Sequence, residues 1–250
     1  MDSNTMALEF NHILKNSELN IVCVCDYKYL KYFMTLLKSA TLNSPNVNFH
    51  ICLVNQGRHK NKIKNKARKI FKNIEFYFEE KTFSKSQNPK AFFANFRAQF
   101  LLRMLESGLK NIVYIDVDSL LRYDITKYDW KFNKYDISVF FRDSSDPRFK
   151  LLSGVIAVSG NEKSKLFVKS WANEIFPTMF EWFADQITFY KVYDKFRNKI
   201  KFGNLEQTVI DWHFNDESFI WAGKGDRKSR NLRYIFETFK IRIKYLINLG

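Results

Sequence analysis

The sequence predicts an α/β domain, Rossmann-like, with a mostly parallel central sheet flanked by helices. Three observations carry that expectation. Short apolar runs rich in β-branched residues alternate along the chain with longer stretches whose apolar residues fall at helical spacing. One of the runs, Asn111 to Leu121, carries two carboxylates, Asp116 and Asp118, where open parallel sheets place their ligands. No repeat, low-complexity segment or composition shift divides the 250 residues, so 1–250 reads as a single domain with a basic helical tail from about 226 to 250.

Taken in order, Leu19 to Cys25 is a buried-strand pattern ending at Asp26, and residues 28–42 place Leu30, Phe33, Met34 and Leu37 at helical spacing. Residues 48–54 make a second strand and Ile74 to Phe78 a third. Between them Arg58 to Lys72 is a helix with eight Lys/Arg and the apolar stripe Ile63, Ala67, Ile70 and Phe71. A charge run opposite such a stripe is usually a solvated face, and this one lacks the interleaved aromatics of a nucleic-acid surface. A long helix from about Lys90 to Ser107 buries Phe92, Phe96, Phe100, Leu101 and Leu105, carries Arg97, and leads into the acidic run. Asp136 to Phe141 and Lys150 to Val158 follow as strands, the second interrupted by Gly154, which a strand tolerates where another group must approach the backbone. Residues 161–176 and 181–195 read as helices separated by Pro177, and Thr208 to Trp212 and Ser218 to Trp221 as short closing strands.

On an extended segment Asp116 and Asp118 share one face, about 7 Å apart. Such a pair suits a hard divalent cation that also holds phosphate oxygens. On the tripeptide alone, a strand end with acidic loop residues or an isolated cation site is an equal alternative. The balance of 41 Lys+Arg against 26 Asp+Glu, net +15, favours anionic partners without choosing among nucleotides, nucleic acid and acidic lipid. Three cysteines, with Cys23 and Cys25 two apart in an apolar run, make no paired framework and read as core thiols of a reducing cytosol. The start, Met1 to Asn4, has no basic-then-apolar leader, and no stretch approaches a membrane span. His213, beside Trp212, reads as a packing residue rather than a ligand.

The order of parts resembles the GT-A nucleotide-sugar glycosyltransferases, most closely the retaining group that includes glycogenin and lipopolysaccharide galactosyltransferases. The resemblance spans roughly the whole chain, and its core is Arg97 followed by Ile112-Val113-Tyr114-Ile115-Asp116-Val117-Asp118. It implies that Asp116 and Asp118, the DXD motif, hold Mn2+ (or Mg2+) bridging the diphosphate of a UDP- or GDP-sugar. Val24 to Tyr29 is similar to the family's first strand end, which implies nucleoside contacts from Asp26, Lys28 and Tyr29. Ser153 and Gly154 resemble the strand facing the donor sugar, Asp143 a sugar-contacting acid, and Asp185-Gln186 the acid–amide pair beside the anomeric carbon. The chain departs from the family at Leu152, where the family has asparagine, and at Ile220, where the family has the histidine that is its third metal ligand. Ile220 to Gly225 otherwise resembles the loop that serves the diphosphate, with Gly223, Lys224 and Lys228 as its candidates.

The function expected is metal-dependent transfer of a hexose from a nucleotide-sugar to a glycan or lipid-linked hydroxyl, with retention implied by the resemblance. The location expected is cytoplasmic, peripheral to the inner face of a membrane. A basic nucleic-acid-binding protein with a structural cation site stands as the alternative, although no nucleic-acid partner is expected; a metal phosphohydrolase would need more ligands than the sequence offers. In the tail, Leu232, Ile235, Phe236, Phe239, Ile243, Leu246 and Ile247 make one apolar stripe, with Arg233, Lys240, Arg242 and Lys244 around the other faces. That helix either docks its stripe on the domain or rests as a basic amphipathic helix on an anionic membrane.

Overall fold

The computed structural model describes residues 19–223 and 225–248. The chain start at Met1 and the candidate Lys224 lie outside the described residues. Strands β1 (Asn20–Asp26), β2 (Asn48–Val54), β3 (Ile74–Glu79) and β4 (Ile112–Ile115) are parallel neighbours. They belong to a seven-stranded sheet of order β3-β2-β1-β4-β7-β6-β8, completed by β6 (Ile137–Phe141), β7 (Leu151–Val158) and β8 (Phe202–Asn204). β7 runs antiparallel to both β4 and β6, so the sheet is mostly parallel, as expected. A separate two-stranded sheet joins β5 (Ser119–Leu121) to β9 (Ile220–Ala222).

Helices α1 (Leu30–Asn43) and α2 (Lys60–Ile70) make the crossovers that parallel pairing of β1, β2 and β3 demands. Alternate side chains of one strand feed two cores. Ile21, Cys23 and Cys25 of β1 pack with Phe33, Leu36 and Leu37 of α1. Val22 and Val24 pack on the other side among residues of α3 (Pro89–Glu106) and α4 (Glu162–Ile175). Each fully buried Leu or Phe in these layers contributes about 1.5–3 kcal/mol. Asn88 caps α3, accepting from the amides of Lys90 and Ala91, with Pro89 in the first turn, where its missing N–H costs nothing. Helix α5 (Ala184–Phe196) follows, and α6 (Arg227–Arg230) and α7 (Leu232–Ile247) end the described chain.

Three expectations are corrected. The run from Asn111 to Leu121 is two strands, because the amide of Ser119 bonds the carbonyl of Asp116 at 3.0 Å and turns the chain between β4 and β5. Asp116 and Asp118 are therefore brought together by a turn and not by strand alternation. Thr208 to Trp212 forms a 3-10 turn (Gln207–Val209) and one bridge from Asp211 to Trp221. The buried Asp211 carboxylate accepts from the amides of His213 (2.7 Å) and Asn215 (2.6 Å) and the hydroxyl of Ser218 (2.8 Å), a local closure that competes with a ladder. His213 itself is exposed. Finally, of the two readings of the tail helix, the one that docks the stripe on the domain is overturned: α7 packs through Tyr234, Ile241 and Tyr245, and the stripe faces outward.

Candidate active site

Beyond the carboxyl ends of β1 and β4 lies a cavity of about 590 Å³. Asp26, Lys28 and Tyr29 line it from the end of β1, Asp116 to Asp118 from the turn after β4, and Lys90, Phe93 and Arg97 from α3. Trp182 and the segment from Gly225 through Asp226, Lys228 and Ser229 close it.

Asp116 is held by the scaffold. Its Oδ1 accepts from the Tyr114 hydroxyl at 3.2 Å and lies 3.3 Å from Arg97 Nη1. The same guanidinium donates to the carbonyls of Ala94 (2.6 Å) and Ser153 (2.7 Å), and its Nε is 3.5 Å from Asp185. Ser153 donates to that Asp185 carboxylate at 2.6 Å. Gly154 leaves room for the turn: a Cβ there would sit 3.1 Å from Asp116 Oδ2. Desolvation pushes the Asp116 carboxyl up to about 6, against the pull of Arg97. Removal from water costs Arg97 its hydration, yet the carboxylates around it, Asp116 first, hold its pKa above the ordinary arginine value.

Among the described residues, one cation pairs with Asp118. Lys228 Nζ donates to its Oδ2 at 2.6 Å and also reaches the Tyr29 hydroxyl at 3.2 Å, lying over the Tyr29 ring. Burial raises the Asp118 pKa and Lys228 opposes the rise. The backbone beneath is fixed separately, since the Asp118 carbonyl accepts from Tyr234 Oη at 2.6 Å and the Gly223 amide at 3.2 Å. A Cβ at Gly223 would come within 2.4 Å of that carbonyl, so only glycine fits.

The remaining candidates scatter. Asp26 caps the turn Tyr27–Tyr29, accepting from the Tyr29 amide at 2.9 Å. Ser153, Gly154 and Asp185 lie behind the cavity wall, joined to it through Arg97 and Asp116. Gln186, with its amide nitrogen turned toward the carbonyls of Arg148 (2.6 Å) and Leu151 (3.1 Å), ties α5 to the start of β7. Asp143 is exposed on the loop after β6 and does not line the cavity. Sequence reasoning missed Asn95, whose amide holds the carbonyls of Met179 and Glu181 (2.9 Å each) while its Oδ1 accepts from the Asp185 amide at 3.0 Å. A polar residue among the phenylalanines of α3 is the signal that could have found it. Tyr234 and Trp182 carried no comparable sign.

The donor set can be tested against a divalent cation. Among the described residues no group of three His, Cys, Asp or Glu could hold a metal alone, and Ile220 is wholly buried in β9. Two desolvated carboxylates on one cavity wall nevertheless fit a hard cation that takes its other ligands from phosphate and water. Among the described residues, the larger set of protein ligands expected of a metal phosphohydrolase is not found.

The profile of Glycosyl transferase family 8 matches residues 20–167. The chain belongs to that family. This family 8 chain matches no curated protein sequence, but many solved structures share its fold. The glycosyltransferase GlyE of Streptococcus pneumoniae TIGR4 superposes with TM-score 0.61 at 12% identity, over 93% of this chain and 64% of GlyE. The galactosyltransferase LgtC, solved with donor and acceptor sugar analogues, gives 0.58 at 13%, over 91% and 95%. Mouse xyloside xylosyltransferase 1 gives 0.54 at 10%, over 84% and 98%. At these identities the likeness shows the fold, and it is the GT-A fold. The family 8 chain spans about two thirds of GlyE.

Proposed function

We propose that this chain transfers a hexose from a nucleotide-diphosphate sugar, with UDP or GDP as nucleotide, to a hydroxyl of a glycan or lipid-linked acceptor. The observation that carries the reading is the convergence of Asp116 and Asp118 with Arg97, Lys228, Asp26 and Tyr29 around one cavity beyond the strand ends. Asp26, Lys28 and Tyr29 form the nucleoside end. Asp116 and Asp118 would hold Mn2+ or Mg2+ together with diphosphate oxygens; when bound, the ion supplies Lewis-acid neutralisation of the leaving diphosphate. Lys228 is the protein's own cation for that charge, and Lys224, which follows Gly223 in the sequence, is assigned to the same task with Gly223. Arg97 positions the Asp116 carboxylate and ties it to Asp185.

In this reading Ser153, Gly154 and the pair Asp185-Gln186 serve the sugar end, while Asp143, off the cavity on its exposed loop, is assigned no contact there. What supports the pair is that a single guanidinium links Asp185 to the acidic turn. Retention rests on the family resemblance of that pair. NMR of the first-formed product tests it, and an inverted anomer overturns it. A cytoplasmic position against the inner face of a membrane belongs to the same reading, supported by three free, buried cysteines. None of the described helices is long and apolar enough to cross a membrane.

The deciding experiment is calorimetry of UDP and GDP with and without Mn2+, competed by nucleotide-sugars, on the full chain and on Asp116→Asn and Asp118→Asn. Metal-dependent binding that both substitutions weaken, with loss of donor hydrolysis, is expected. Undiminished activity in both variants, or salt-sensitive binding of RNA or DNA with no nucleotide requirement, sinks the reading.

A further inference from the structure

The side chains of α7 divide by what they touch. Tyr234, Ile241 and Tyr245 are buried, and the hydroxyl of Tyr245 donates to the Lys69 carbonyl at 3.2 Å, pinning the far end of the helix to α2. Leu232, Phe236, Phe239, Leu246 and Ile247 are between 60% and 70% exposed, and Ile235 and Ile243 are each 41% exposed. At about 100° per residue these seven fall in an arc of roughly 120°, opposite the docked tyrosines. Arg233, Lys240 and Lys244 follow one margin of the arc and Arg242 the other.

Single exposed apolar residues need no explanation, but seven contiguous on one helix face mark an interaction surface. The charges around them choose the partner. The acidic groups nearby are already matched: Glu237 pairs with Arg122 at 2.7 Å and Lys240 at 3.7 Å, and Asp216 with Arg233 at 3.1 Å and Arg122 at 3.6 Å. The surplus is basic, on a chain of net charge +15. A second copy would set like charges against each other along both margins. A layer of anionic lipid satisfies both parts of the pattern, since the apolar arc enters the acyl boundary while Lys and Arg stems reach outward to phosphates.

We propose that α7 lies in the plane of an anionic membrane surface and seats the protein there through this face. The face begins at Leu232, four residues after Lys228 on the cavity wall, so a sugar carried on a membrane lipid is presented beside the cavity. That statement about the acceptor rests on the transferase reading; the membrane contact does not.

Co-sedimentation of the full chain with vesicles of phosphatidylglycerol and phosphatidylcholine, against phosphatidylcholine alone, tests the proposal. Two double variants accompany it, Phe236→Ser with Phe239→Ser and Lys240→Glu with Lys244→Glu, each checked for fold by circular dichroism and for Mn2+-dependent UDP binding. At least tenfold stronger binding to the anionic vesicles is expected, weakened by salt, with a tenfold or greater loss in both variants and unchanged UDP affinity. Failure of the folded chain to sediment with either vesicle overturns the proposal. So do variants that bind like the parent, or a dimer by light scattering that the Phe236 and Phe239 substitutions dissolve. Vesicle binding as expected without nucleotide binding would leave the membrane contact standing and remove the transferase reading.

Discussion

Asp116 and Asp118 stand two residues apart in the chain and live in different mechanical surroundings. Asp116 touches a guanidinium that also grips Ala94, Ser153 and Asp185, so its position is set by α3, β7 and α5 together. Asp118 pairs, among the described residues, with one lysine on a helix of a single turn. The cavity thus has a half built into the scaffold and a half whose charge pairing can be exchanged without disturbing the sheet. On the transferase proposal a diphosphate would draw on both, one to fix where it lies and one to answer its charge.

Substitutions at the two halves should separate stability from activity. Arg97→Met leaves two carboxylates in a desolvated network without their cation, a change that costs about 3–5 kcal/mol and lowers Tm by roughly 10 °C in a chain of this size, with transfer abolished; thermal denaturation reads it. Asp118→Asn is expected to cut kcat/KM by about 100-fold with a smaller loss of Tm than Arg97→Met, because the amide oxygen and the Tyr29 hydroxyl still accept from Lys228. Equal melting losses in these two variants would erase the distinction. Gly154→Ala presses a Cβ against Asp116 Oδ2, and a carboxylate moved by a few tenths of an ångström should cost about tenfold in kcat/KM with Tm nearly unchanged.

The smallest effect is a control outside both halves. Burial pushes the His50 imidazole from its ordinary value down to about 4. Between pH 6.5 and 4 the unfolded chain therefore binds the extra proton, and stability falls as pH falls. The loss is about 1 kcal/mol from pH 6.5 to 5.5. His50→Gln should flatten that part of the denaturation profile, and an unchanged slope in the variant would show the sensitivity to lie elsewhere.

The alternating β and α units were legible because parallel strands bury both faces and read as unbroken apolar runs, as β1 and β2 do. The same property hid the turn at Asp116, since Val117 and Leu120 are as buried as the strand residues before them. Asp116, Asp118, Arg97, Tyr29 and Lys228 were legible in the family's order of motifs, and the structure gathers all five at the cavity. Who holds Asp185 was not legible, because Asn95 and Ser153 meet it only across the fold. The orientation of α7 was equally hidden. Tyr234, Ile241 and Tyr245 recur at helical spacing just as the exposed stripe does, and periodicity names candidate faces without saying which one the domain takes.

The hydrogen bond from Tyr234 to the carbonyl of Asp118 spans 116 residues of sequence. During synthesis every strand of the seven-stranded sheet, through Asn204 of β8, is made before Gly223 and Tyr234 exist to complete the acidic turn. A contact of such long sequence separation forms late, after the loop it closes has been ordered. Translation therefore makes the strand that leads to Asp116 well before the residues that hold the Asp118 carbonyl, and the acidic turn gains its last two backbone partners only when Gly223 and the start of α7 have been made.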